Sequence, residues 1–151
     1  MPEYPRTRFP LAPALIVSGL TIALAAAGAD EILPGPYEAE LLEVVDGDTI
    51  RARIRVWVEI EAETLVRIDG IDTPELRSAC EEEVRLARRA RERVAAIAAE
   101  GGLMLYDVRY GKYAGRVLAR VEAGGRDIGA TLQAEGLARP YAGGRRAGWC
   151  D

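Results

Sequence analysis

No histidine occurs in this sequence, and that absence removes several kinds of chemistry at once. A Ser-His-Asp triad, a Cys-His nucleophile and a histidine-built zinc centre are all excluded. Any general base must be a carboxylate or a less common group, and any metal site must be built mainly from oxygen. Lysine is nearly missing as well: Lys112 stands alone, so arginine carries the rest of the 20 basic groups. Arginine matches phosphate and carboxylate through two parallel N–H bonds, where lysine acts as a point charge. A surplus of positive charge is also lacking. The formal net charge is −4, and removing residues 1–29, which hold Arg6, Arg8 and Glu3, leaves the remainder more acidic still. A non-specific DNA binder usually presents a basic surface that releases counterions. Here any hold on a polyanion would have to come from local arginines and from a metal ion held by the acidic groups.

What is present fits one domain of ordinary globular composition. The chain has 151 residues, 49% hydrophobic and 29% charged, a balance that can bury a core without metal or disulfide staples. No internal repeat or low-complexity tract interrupts it. Arg6 and Arg8 precede an apolar run from Ala14 to Ala27, and Ala27-Gly28-Ala29 has the small-x-small form of a signal-peptidase site. Residues 1–29 therefore read as a cleaved signal peptide. The alternatives are an uncleaved inner-membrane anchor over residues 11–29, although Pro13 interrupts it, and a buried core helix. Either of the first two readings means export, to the periplasm or beyond. In an oxidising compartment the two cysteines, Cys80 and Cys150, are expected to form a disulfide rather than two free thiols. Closing a loop of that length would stabilise the fold by about 4 kcal/mol on the chain-entropy model.

Residues 30–36, with Pro34-Gly35-Pro36, read as a linker, and residues 37–151 as the domain. Tyr37 to Val45 predicts a first strand, with Asp46-Gly47 supplying a turn. Thr49 to Val58 alternates, placing Ile50, Ala52, Ile54, Val56 and Val58 on one face and Arg51, Arg53 and Arg55 on the other. A third strand is expected over Thr64 to Ile68. From Glu81 to Glu100 the period becomes helical, with Leu86, Ala90, Val94 and Ile97 on one face. Glu81 to Glu83 load its first turn with charge that suits the helix dipole, and Gly101-Gly102 stops it. Strands over Leu103 to Val108 and Arg116 to Val121 follow, then a short helix over Asp127 to Glu135. The sum is an α+β fold, mainly β: a five-stranded, partly open barrel with a long helix after strand 3 and a short one after strand 5.

Two acidic clusters could do chemistry. Asp46-Gly47-Asp48-Thr49 sets two carboxylates about a tight turn. Asp72-Thr73-Pro74-Glu75 sets two more just past the third strand, with proline fixing the chain between them. Together they could offer carboxylate and carbonyl oxygen to a hard cation. Each alone also fits a solvated turn or a helix cap. Arg67 and Arg116, taken singly, fit surface arginines or structural ion pairs.

In combination, these motifs resemble the staphylococcal-nuclease family. Asp46-Gly47-Asp48-Thr49, then Arg67 followed by Asp72-Thr73-Pro74-Glu75, then Lys112-Tyr113-Ala114-Gly115-Arg116 and Gly136-Leu137-Ala138 keep its order and spacing over residues 37–141. The resemblance implies an oligonucleotide-binding type of barrel and calcium-dependent hydrolysis of DNA and/or RNA, leaving 3′-phosphate ends. It implies Asp48, Asp72 and the Thr73 carbonyl as calcium ligands, and Glu75 as general base or orienter of the attacking water. Arg67 and Arg116 would be the phosphate-gripping arginines, and Lys112, Tyr113 and Tyr141 substrate contacts. A monomer is expected, with no protein partner, and contact with a membrane only if the leader is retained.

The sequence also departs from the family pattern. Ala114 is inserted between Tyr113 and Gly115, Gly111 replaces an acid, and the long final helix of the best-known member is missing. Arg145, Arg146, Trp149 and Cys150 form a different ending, which a Cys80–Cys150 bridge would tie back near Glu75 in place of that helix. Two other readings remain: a silent barrel that binds nucleic acid or protein, and a structural envelope protein whose Arg–Asp pairs are plain ion pairs. The retention of Asp48, Arg67, Asp72, Glu75 and Arg116 together favours the enzyme.

Overall fold

The computed structural model describes residues 31–112 and 115–150. The stretch read as a leader, residues 1–29, and Tyr113 with Ala114 lie outside the described residues. In chain order the elements are β1 (Tyr37–Val44), β2 (Thr49–Trp57), β3 (Ile60–Ile68), β4 (Ile71–Asp72), α1 (Glu81–Ala98) and β5 (Leu103–Tyr110). They continue with β6 (Arg116–Ala123), β7 (Arg126–Asp127), α2 (Ile128–Ala134) and β8 (Arg139–Pro140). Among the described residues no helix is long and apolar enough to cross a membrane.

The five long strands form the expected barrel, in the order β3-β2-β1-β5-β6. Its closure is tighter than the partly open form anticipated. β3 and β6 run parallel and pair from Leu65↔Arg116 to Ile68↔Ala119, so the two ends of the sheet meet. The alternation in β2 explains the inside of the barrel. Ile50, Ala52 and Ile54 are buried there with Val66, Ile68, Leu105 and Val121, each large aliphatic side chain contributing about 1.5–3 kcal/mol. Beyond Ile54 the pattern no longer describes burial: Val56 and Val58 are exposed, with Trp57 and Ile60 beside them. β3 begins at Ile60 instead of Thr64, so the β2–β3 hairpin is longer than expected and its tip projects past the core. The residues read as a linker are also tied down, since Leu33 exchanges two 2.8 Å backbone bonds with Val108.

On the opposite face of β2 the arginines are committed to neighbouring strands. Arg51 pairs with Glu43, Arg53 with Glu40 and Glu63, and Arg55 with Glu38. This cross-strand lattice neutralises a stripe that would otherwise be basic, although each exposed pair is worth only about 0–1 kcal/mol.

α1 lies across one end of the barrel. Its buried face is Ala87, Ala90, Val94 and Ile97. Ala87 takes the place expected for Leu86, which is only half-buried, so the buried stripe steps by three, four and three residues along one helical face. Cys80 occupies the N-cap position without a capping side-chain bond and is joined to Cys150, 70 residues on, with their Cα atoms 6.4 Å apart. Asp127 caps α2 by accepting from Ala130 N–H. Arg93 on α1 grips Glu135 at the end of α2 through a fork, at 2.7–2.9 Å.

The hydrogen bond from Arg93 holds the Glu135 carboxyl below its ordinary range. A lowered value in the folded state means stability that is present above the unfolded value and lost as pH falls through the folded one. Glu135→Gln should therefore lower Tm at neutral pH, and the gap from wild type should close on acidification below the carboxylate range. Thermal melts of both proteins across that interval check it.

Candidate functional site

At one end of the barrel, the β1–β2 turn meets the chain that leaves β3. Val45 and Asp46 both donate backbone N–H groups to the Thr49 carbonyl, at 3.0 and 3.2 Å. Asp48 N–H donates to Asp46 Oδ1 at 3.1 Å. Burial first, and then the nearby Asp48 carboxylate, raise the Asp46 carboxyl above its ordinary value. Asp48 itself is turned inward and only 2% exposed. Its backbone carbonyl accepts from Ile68 N–H at 2.8 Å, which fixes the turn against the end of β3.

Arg67 lies beside it in register with Thr49. Its Nη1 is paired with Asp48 Oδ1, and its Nη2 donates to the Ile71 carbonyl at 3.1 Å. Thr49 Oγ1 donates to the same Asp48 oxygen at 2.9 Å. β4 then carries Asp72, which is 5% exposed, and pairs it with Arg139 of β8. Thr73 and Pro74 are buried, so the chain emerges at Glu75 in a fixed direction. Glu83 in the first turn of α1 secures that segment, accepting from Glu75 N–H at 3.1 Å and from Ser78 Oγ at 2.6 Å.

Three of the expected acids, Asp48, Asp72 and Glu75, come together around a residue not assigned to the site from the sequence. The Arg146 guanidinium reaches Asp48 Oδ2 at 3.5 Å, Asp72 Oδ1 at 2.6 Å and Glu75 Oε1 in direct contact. Asp72 Oδ1 is buried and receives no hydrogen bond, despite that short approach. The Arg146 Nε–H is not aimed at the oxygen, so the contact is Coulombic and leaves the lone pairs unused. Such an acceptor is costly when buried.

The other expected residues fall as follows. Tyr141 is half-buried, with its ring 5.8 Å from the Arg67 guanidinium carbon and its hydroxyl donating to the Gly144 carbonyl at 2.8 Å. Arg116 pairs with Leu65, two residues before Arg67, on the strand parallel to β3. Parallel register puts Arg116 and Arg67 on one face, with Cα atoms ~8 Å apart from standard sheet spacings. Lys112 is exposed in the β5–β6 turn. That turn is held beside β3 by Thr64 Oγ1, which approaches the Gly115 carbonyl at 3.4 Å. Tyr113 is outside the described residues.

The donor set suits a hard divalent cation. It offers two buried carboxylates, one with an unsatisfied oxygen, and a positively charged group already drawn in among them. Among the described residues no three acidic or cysteine side chains form a ready-made metal cage. A site of two carboxylates completed by a carbonyl, water and a phosphate oxygen needs none.

Gly47 joins the two halves of the site by its lack of a side chain. A Cβ there would come within 2.8 Å of Ala90 Cβ on α1 and 2.9 Å of Thr73 Oγ1. Gly47→Ala should overpack this junction and cost about 1–3 kcal/mol, read as a lower midpoint in denaturant unfolding. No family model matches the sequence and no curated protein matches it, so the functional reading rests on these residues and their geometry.

Proposed function

We propose that this chain is an exported, calcium-dependent phosphodiesterase of the staphylococcal-nuclease type, cutting DNA and/or RNA to leave 3′-phosphate ends. The observation that carries the reading is the convergence of Asp48 from one segment and Asp72 and Glu75 from another on one cationic group beside Arg67. The motif order described above supports it independently.

In this reading Asp48, Asp72 and the Thr73 carbonyl hold the metal. When bound, calcium supplies Lewis-acid stabilisation of the charge that develops on the phosphate. Glu75, whose side chain is 51% exposed, orients the attacking water and takes its proton on a carboxylate oxygen. Arg67 and Arg116 grip the non-bridging phosphate oxygens from one face of the sheet. Arg67 is preorganised for this by Asp48 and the Ile71 carbonyl, so little reorganisation is needed as charge builds. Tyr141 and Lys112 flank the path of the nucleic acid, and the motif resemblance assigns Tyr113 a substrate contact as well. The leader over residues 1–29 directs the protein out of the cytoplasm, consistent with the disulfide.

A silent barrel that binds without cutting is the competing reading, and the Arg146 contact is what favours it: a guanidinium fixed permanently among the acids would keep a metal out. Nicking of supercoiled plasmid separates the two. Cleavage is expected with calcium and not with EDTA, whereas a salt-sensitive gel shift without nicking would favour the binding module. Under the same conditions Glu75→Gln should lower the rate by about 10²–10⁴-fold.

Arg67→Lys tests the preorganised fork separately. One ammonium cannot reproduce the pairing with Asp48 and the bond to the Ile71 carbonyl together, so the rate should fall by about 10²-fold. Melting curves recorded alongside distinguish lost catalysis from lost folding.

A further inference from the structure

Arg146 has no place in the reaction just described, yet its guanidinium touches all three of the carboxylates. We infer that Arg146 is a tethered counter-cation that sets the site's affinity for its metal, because a divalent ion must displace it to bind. The inference rests on the calcium-binding reading of Asp48 and Asp72.

The geometry argues for exclusion and not for coexistence. A calcium ion would take carboxylate oxygens at about 2.3–2.6 Å. Arg146 Nε already stands 2.6 Å from Asp72 Oδ1, and its Nη2 faces Asp48 Oδ2. Both cations cannot occupy the same side of the same two carboxylates. The charge count points the same way. Three acids with Arg67 and Arg146 are close to neutral, so the guanidinium does in the resting protein what the metal would otherwise do. The contact is also imperfect, since Asp72 Oδ1 gains no hydrogen bond from it. An ion able to use that oxygen fully therefore has an advantage to set against the displacement.

The tail is built to hold the guanidinium in place. Arg146 lies four residues before Cys150, and Glu75 five residues before Cys80, so the disulfide joins the two by a short covalent path that their ion pair closes into a loop. Arg139 steadies the segment between, donating to the Gly148 carbonyl at 2.8 Å and stacking 3.9 Å from the Trp149 ring. A short tether of this kind keeps its end group at a local concentration in the millimolar range or above. A site that is open about one-tenth of the time has its apparent Kd raised about tenfold.

The test is calcium titration by calorimetry on the full chain with its disulfide intact, beside the same titration of Arg146→Gln and of the untethered Cys80→Ser/Cys150→Ser protein. Arg146→Gln is expected to bind calcium at least about tenfold more tightly than wild type, with the untethered protein shifted in the same direction. Melting curves add a readout independent of affinity. In EDTA the Arg146→Gln protein should melt below wild type, and calcium should raise its Tm by more than it raises that of wild type. Should Arg146→Gln fail to fold, the untethered protein and Arg146→Lys carry the same comparison. Calcium binding to wild type that is as tight as, or tighter than, binding to the variants overturns the inference and leaves the metal site standing. Absence of calcium binding in every protein overturns the metal-dependent reading itself, and the inference with it.

Discussion

Asp48 is a carboxylate removed almost completely from water, and the arrangement around it follows from what that removal demands. A buried anion is tolerated only with cations and hydrogen-bond donors packed against it. Thr49 supplies a hydroxyl, Arg67 a guanidinium from the adjacent strand, and Arg146 a second one from the tail. Each partner brings its own segment with it. Arg67 ties the end of β3 to the chain at Ile71, and Arg146 draws the last turn of the protein over Asp72 and Glu75. The turn can sit this deep only because Gly47 leaves room for Ala90 and Thr73. The local geometry of this corner is thus set by satisfying one negative charge.

Elsewhere the molecule treats charge differently. Most arginines on the barrel face or on the helices are matched to carboxylates nearby, as in Arg53 with Glu40 and Glu63 or Arg93 with Glu135. These pairs are solvent-exposed and screened, and they leave little free positive field on the sheet. An acidic protein organised in this way has no general attraction for a polyanion. At the β1–β2 corner, by contrast, Arg67 and Arg146 are drawn in against buried acids.

Much of the barrel was legible because period-two and period-3.6 patterns report burial directly. Ile50, Ala52 and Ile54 and the Ala90, Val94 and Ile97 face lie where periodicity places them. The pattern misleads at Val56 and Val58, since alternation marks a face of a strand without saying how far the core extends beneath it. The short β4–β8 pairing was invisible, because two-residue strands carry no period and Asp72 meets Arg139 only through tertiary closure. The acids of the site could be named from their motifs. Arg146 could not, although a clue was present: a Cys80–Cys150 bridge brings the ending near Glu75. Which of Arg145 and Arg146 turns inward depends on the path through Gly143 and Gly144, both at positive φ. That is a property of the folded loop and not of the local sequence. Glu83 was likewise read as a helix-dipole residue, while its carboxylate also binds the loop that presents Glu75.

The disulfide has a consequence for how the molecule comes apart. It spans 70 residues, so α1, β5, β6, α2 and β8 all lie inside one covalent circle while β1, β2 and β3 lie outside it. A single peptide-bond cut within the circle, for example at the Gly124-Gly125 turn, opens it without releasing a fragment. The three long strands outside the circle and the two inside it form contiguous arcs that meet at β1–β5 and β3–β6, while β7 pairs with β6 and β8 with β4, so the severed pieces would remain both bonded and paired until the sulfur link is reduced.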